Sequence, residues 1–182
     1  MNSISMVVGS WGSYNECNER ALGSKWLDFD DFEDWEEIET ELKNQGFDLQ
    51  GIDEELFIQD IEGLPTDACN WDYMHPKTLF ETIKESGVLE DDHEYEKMLA
   101  YIELRSYDDF KNLVDSKGSK WGDDIYLYQN FDWEDYGRNY FDNCCYELPG
   151  GLEDFIDFEA YGKYVGDYYA QEYSNGIIEI LN

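Results

Sequence analysis

WLDFDDFEDWEEIETEL, residues 26–42, holds nine Asp or Glu among its seventeen residues, no Lys or Arg, and Trp26, Phe29, Phe32, Trp35, Ile38 and Leu42 in the gaps. A disordered acidic tail lacks such aromatics, and an ordinary surface helix intersperses Lys and Arg to relieve the repulsion. Phe32, Trp35, Ile38 and Leu42 recur at three or four residues, which predicts an amphipathic helix. Asp30 followed by Glu33 has capping-box spacing, and Gly46 stands where a helix ends. The stretch is therefore a folded element that keeps its charge unrelieved.

The rest of the chain repeats this combination. Its 182 residues carry 44 acids against 12 bases, a formal net charge of −32, yet 42% of the residues are hydrophobic and 17% aromatic. That is enough apolar material for packed cores, so the chain reads as a folded polyanion. Residues 1–65 hold 17 acids and 3 bases, residues 66–120 hold 13 and 7, and residues 121–182 hold 14 and 2, giving −14, −6 and −12. No Lys or Arg occurs from Asn44 through Pro76. A continuous negative surface follows.

Periodicity outlines an α+β chain. SISMVVGSW (3–11), GSKWLDF (23–29) and EELFIQDIE (54–62) read as three strands of a small antiparallel sheet, with the acidic helix between the second and third and its aromatic stripe on the sheet. PKTLFETIKESG (76–87), DDHEYEKMLAYIEL (91–104) and SYDDFKNLVDSKG (106–118) have helical spacing, with Pro76 near one start, Ser106 as an N-cap, and Gly87 and Gly118 at ends. DDIYLYQN (123–130) reads as a strand, WEDYGRNYFDNCCYE (133–147) and LEDFIDFEAYGKYV (152–165) as helices, and YYAQEY with GIIEIL (168–181) as a closing hairpin. Three prolines and no Ser/Gly-rich linker point to close-packed modules. We expect three in a line: an α+β module at 1–66, a short-helix module at 67–120 and a small sheet with helices at 121–182.

Most site chemistries are excluded by spacing. His75 and His93 have no Cys or His partner two to five residues away, so no zinc site is read. DFDDFEDWEEIE and DDHEYEKMLAYI lack the sixth-position Gly of an EF-hand. GSWGS lacks nucleophile-elbow spacing, no Gly-rich loop ends in Lys-Ser or Lys-Thr, and the net charge repels phosphorylated substrates. A glycosidase carboxylate pair is expected by chance among so many acids, and no large cleft is foreseen. We therefore expect no enzyme, no cofactor and no metal site. Cys17, Cys69, Cys144 and Cys145 are expected as free, mostly packed thiols. The first residues show no secretory pattern and no run long enough to span a bilayer, which places the protein in the cytoplasm, away from membranes.

Such a surface is attracted to a strongly basic groove, above all one that holds duplex DNA. At one charge per about 1.7 Å of axis, 32 charges correspond to roughly 54 Å of duplex, about 16 base pairs, and a symmetric dimer matches twice that. The leading reading is a DNA mimic that itself binds no nucleic acid. An acidic chaperone or cation-binding protein for basic partners is the alternative.

GFDLQGIDEELFIQDIEGLP (46–65), after GSWGSYNE (9–16) and GSKWLDF, resembles the N-terminal module of the ArdA antirestriction proteins of conjugative elements and phages. LEDFIDFEAYGKYV, followed by SNGIIEI (174–180), resembles that family's most characteristic segment. The family's Tyr-Ile-Asp-Tyr-Glu-Ala-Tyr-Gly run is matched by Phe155, Ile156, Asp157, Phe158, Glu159, Ala160, Tyr161 and Gly162, while the Arg-Asp that follows it is Lys163 and Tyr164 here. The resemblance implies a cytoplasmic, elongated, three-module DNA mimic that forms a homodimer through its C-terminal module. Its implied target is the methyltransferase core of a type I restriction-modification enzyme. For contacts with that partner the candidates are Asp30, Asp31, Glu33, Asp34, Glu36, Glu37 and Glu41, with Asp157, Glu159 and Asp167 near the C-terminus. The bland alternative for the motif segment is a core-packing helix with a Gly at its end.

Overall fold

In the computed structural model, which describes residues 3–144 and 152–181, the first strand, β1 (Ser5–Ser10), is buried along its whole length. It runs antiparallel between β2 (Leu27–Asp28) and β3 (Leu56–Glu62). Coverage on both faces is why its sequence is an apolar run rather than an alternation. Val7 pairs with Asp60 and Val8 with Ile58, so Gln59 is the extra residue of a β-bulge.

Two strand expectations are too long. Trp11 does not continue β1 but opens α1 (Trp11–Glu16), because Ser10 accepts a hydrogen bond from the Ser13 amide at 3.3 Å and caps a helix there. Trp11 stacks on Phe57 at 4.2 Å. Of GSKWLDF only Leu27–Asp28 is strand, since the Ser24 hydroxyl takes the Val8 amide hydrogen bond at 2.9 Å.

The acidic helix is α2 (Trp35–Asn44), and it starts later than the Asp30–Glu33 spacing predicts. Asp34 is the N-cap, accepting from the Glu37 amide at 3.1 Å, and the Glu37 carboxylate accepts from the Glu33 amide at 2.7 Å. The delay has a packing cause. Phe29 is fully buried against Phe80 (ring centroids 5.2 Å), and a short 3-10 turn at Phe29–Asp31, capped by Asp28, delivers it there. Gly46 does follow the helix, at φ +92, in the left-handed region where glycine is favoured.

Three helices follow as read: α3 (Pro76–Ser86), α4 (Asp92–Leu104) and α5 (Tyr107–Lys117), capped by His75, Asp91 and Ser106. Their core includes Phe80, Tyr107, Phe110 and Trp121, with Phe110 edge-on to Trp121 at 5.0 Å and the Trp121 indole donating to the Ser86 carbonyl at 3.2 Å. A polar node underlies the loops beside β1. Asp53 is fully buried and accepts from the Ser13 hydroxyl, the Asp48 amide (2.8 Å) and Arg20 Nε (2.8 Å). Burial alone pushes its carboxyl up, but these donors together outweigh it and hold the group below its ordinary value.

The chain forms two compact units, Met1–Trp121 and Gly122–Asn182. The second has its own antiparallel sheet, order β4-β6-β5, from β4 (Ile125–Gln129), β5 (Ala170–Tyr173) and β6 (Gly176–Ile180). The final hairpin is β5–β6, and β4 pairs on the other side of β6, Ile125 with Ile180 through Gln129 with Gly176. Its helices are α6 (Trp133–Asn143) and α7 (Phe158–Gly166). The latter is shorter than LEDFIDFEAYGKYV predicts: Glu153–Phe155 is a 3-10 turn, Ile156 is extended, and Asp157 is the N-cap. Beneath, the Tyr136 hydroxyl donates to the buried Glu179 carboxylate, and burial together with that carboxylate raises the phenol far above its usual range.

The fold class is thus mixed α+β, with two small three-stranded antiparallel sheets and seven α-helices among the described residues. No helix of the described residues is long and apolar enough to cross a membrane. Cys17, Cys69 and Cys144 are free, but Cys17 and Cys144 are exposed, contrary to the expected packing. Only Cys69 is half-buried, its thiol pushed up to about 12 by burial and by Asp108. Cys145 and the end of the helix read over 133–147 lie outside the described residues.

α6 and α7 approach most closely where Gly137 faces Gly162. A Cβ on Gly162 would overlap the Trp133 carbonyl oxygen and come within 3.0 Å of the Gly137 nitrogen. Gly162→Ala should therefore destabilise the second unit by about 3 kcal/mol, read as a lower denaturant midpoint, because backbone on a neighbouring helix must move. Asp53→Asn should cost the first unit about 2 to 3 kcal/mol by leaving Arg20 without its carboxylate.

Candidate functional site

The charged surface begins with the anchoring of α2. Trp35, Ile38 and Leu42 are buried at the helix spacing, and Trp35 packs against Phe80 (6.3 Å) and His75 (6.0 Å). Burying side chains of this size contributes about 1.5–3 kcal/mol each, whereas a like-charged i,i+4 pair costs about 0.2–0.5 kcal/mol. Three anchors therefore outweigh the repulsion along the exposed side. The helix dipole reduces it further: Asp34, Glu36 and Glu37 sit at the positive N-terminal end, and the only base, Lys43, is in the last turn.

On that exposed side, Asp31, Asp34, Glu36, Glu37 and Glu41 line one open depression with Phe32, Thr40 and Asn44. Asp30 and Glu33 are exposed but are not among its lining residues; they belong to the 3-10 turn and the link ahead of the helix. Glu41 is half-buried and accepts from Gln45 Nε2 at 2.9 Å and Asn44 Nδ2 at 3.4 Å. Those bonds lower its carboxyl below the ordinary value, which keeps it ionised. Glu36 stands exposed in the first turn.

A second depression lies between α2 and α3, lined by Asp34, Trp35, Glu36, Glu39, Thr40, Lys43, Lys77 and Glu81. Glu39 and Glu81 were absent from the sequence-based candidates. For Glu39 a signal exists: it lies four residues after Trp35 and four before Lys43, and it accepts from Trp35 Nε1 (3.0 Å) and pairs with Lys43 (3.4 Å). For Glu81 no local signal exists, because only the packing of α3 on α2 brings it there.

The C-terminal candidates occupy the other compact unit and carry different roles. Asp157 caps α7 by accepting from the Ala160 amide at 2.9 Å. Glu159 is paired with Lys163 at 2.6 Å, which raises the lysine above its usual value. Asp167 is exposed just after the helix. Within the motif segment Phe158 is buried beneath the Arg138 guanidinium (4.3 Å), Tyr161 packs on Tyr140 and Phe141 (6.3 and 6.2 Å), and Gly162 faces Gly137. Phe155, Asp157, Glu159 and Ala160 face solvent, with Ile156 half-buried. Tyr164 and Tyr168 are 79% and 91% exposed and Phe155 is 85% exposed.

Such an arrangement can bind a cationic surface. Among the described residues, no group of three or more His, Cys, Asp or Glu is placed to hold a metal ion.

Because carboxylates repel one another on this surface, screening should stabilise the fold. Raising NaCl from about 20 to about 300 mM shortens the Debye length from roughly 20 to roughly 6 Å and should raise the thermal unfolding temperature; a falling midpoint would contradict it. Asp34→Ala should cost about 1 kcal/mol through loss of the α2 cap, measurable by urea titration.

The family model described as antirestriction protein (ArdA) matches residues 6–179. Among curated proteins, none matches the chain.

Proposed function

The chain belongs to the ArdA family of antirestriction proteins, and from that premise we propose that it is a DNA mimic: a cytoplasmic homodimer that occupies the DNA-binding groove of a type I restriction-modification enzyme. It sits on the methyltransferase core and so blocks restriction of incoming DNA. It acts by binding alone, with no cofactor, no catalysis, and no contact with nucleic acid or membrane. The observation that carries this reading is the α2 surface, where Asp31, Asp34, Glu36, Glu37 and Glu41 line one open face over a buried apolar anchor.

In a groove built for phosphates, those carboxylates take the place of backbone charges. Asp30 and Glu33 extend the same negative field, and in the second unit Asp157, Glu159 and Asp167 are the acids proposed to meet the partner. Association then releases the counterions held by both partners, so affinity falls steeply with salt. Because the field is summed over many charges, no single acid dominates. In this reading the homodimer contact lies in the second unit, at α7, where Phe155, Tyr164 and Tyr168 are exposed.

The test is competition for a purified type I methyltransferase core between a labelled recognition duplex and this protein, read at two salt concentrations. Displacement near stoichiometry, with a scrambled polyacidic peptide of equal charge failing, is the expected result. Equal displacement by the peptide would favour an acidic chaperone, and none would sink the assignment of target. Reversing Asp30, Asp31, Glu36 and Glu41 together to Lys spares the Asp34 cap and should weaken inhibition at least about 100-fold with a shallower salt slope, while each single reversal costs little. Tyr164→Asp with Tyr168→Asp should shift sedimentation from dimer to monomer.

A further inference from the structure

The first unit holds one of the chain's two histidines in a position no carboxylate chemistry explains. His75 is the N-cap of α3: its Nδ1 accepts a hydrogen bond from the Lys77 amide at 3.2 Å. The same ring lies edge-on to Trp35, the first residue of the acidic helix α2, with centroids 6.0 Å apart. One imidazole therefore closes the start of α3 and touches the start of α2. The cap requires a lone pair on Nδ1, which only the neutral ring has.

We propose that His75 is a proton-sensitive clasp between α2 and α3, closed when the ring is neutral and released when it is protonated. Protonation turns Nδ1 from an acceptor into a donor facing another donor, the Lys77 N–H. The protonated ring must give up the cap, and with it the hydrogen bond that fixes its place between Trp35 and the start of α3. Nor do neighbouring carboxylates offer an easy exchange. On α2, Glu39 is engaged by Trp35 Nε1 at 3.0 Å and by Lys43 at 3.4 Å; on α3, Glu81 is paired with Lys77 at 3.6 Å. Lys77 itself adds a like charge beside a protonated ring. His75 is exposed overall, but partial desolvation of its ring, with the Lys77 charge, lowers its value below that of a free histidine, against the opposing pull of Glu39 and Glu81.

The sign follows. A histidine depressed in the folded state binds protons more readily when unfolded, so the clasp contributes fully above about 6.5 and its contribution is lost as pH falls below that value. The consequence is a loosening of the seat of α2 under mild acid, distinct from partner binding and testable without any partner.

The experiment is an NMR pH titration of the whole chain, with the urea-unfolded chain as reference. His75 should titrate below the unfolded histidines, and the Lys77 amide and Trp35 indole signals should move with the same midpoint. Titration at or above the unfolded value, or a Lys77 amide indifferent to it, overturns the clasp. A second measurement compares urea midpoints of the native chain and His75→Asn, which can still cap but cannot titrate. Their difference should shift in favour of the Asn variant between about pH 7.5 and about pH 5.5, and a difference independent of pH would also overturn the proposal.

Discussion

Mutual repulsion among carboxylates is the constraint that the rest of this molecule answers. With a formal net charge of −32 on 182 residues, every exposed element must be held down by something other than surface ion pairs. The answer in α2 is a stripe of Trp35, Ile38 and Leu42 beneath an acidic face. Area removed from water contributes about 25 cal/mol per Å², a term indifferent to charge. Large aromatic rings provide it from few residues, leaving the remaining positions free for Asp and Glu. The same solution recurs in the second unit, where Phe141 and Phe158 pack at 5.6 Å between α6 and α7.

Five of the twelve bases are spent locally. Lys43 with Glu39, Lys77 with Glu81, Lys111 with Asp115, Arg138 with Glu134 and Lys163 with Glu159 are all pairs four residues apart on one helix. Exposed pairs of this kind are worth a few tenths of a kcal/mol. They do little for stability, but they neutralise acids in place and so shape where the field is strong. Arg20 acts at longer range: it reaches across 33 residues to the buried Asp53 and organises the loops beside β1.

Elements whose signals are local were legible in the chain. Pro76 at the first position of α3, Ser106 capping α5 and the left-handed Gly46 and Gly87 all stand where spacing places them. The elements depart from the periodicity where a side-chain cap or a tertiary contact overrides it. Phe29 enters the core and postpones α2 to Asp34; Ser10 turns the chain into α1 where an apolar run predicted more strand; Asp157 starts α7 six residues into the segment read as helix. At the candidate site the acids of α2 were legible as a group, but Glu81 was not, because it joins that surface only through the packing of α3.

Charge, its distribution and the aromatic content beneath it belong to the sequence alone, since they depend on composition and on a helical period that any short segment reveals. The family resemblance belongs there too, carried by the segments 46–65 and 152–165. What the tertiary structure decided is which charges are free and which are employed. Asp34 and Asp157 are caps, Glu159 is half of an ion pair, Asp53 is buried and Glu36 stands in the open. The caps and the Glu159–Lys163 pair take partners three or four residues away, whereas the burial of Asp53 depends on Arg20, 33 residues distant, and contacts between distant segments leave no periodic trace in the chain.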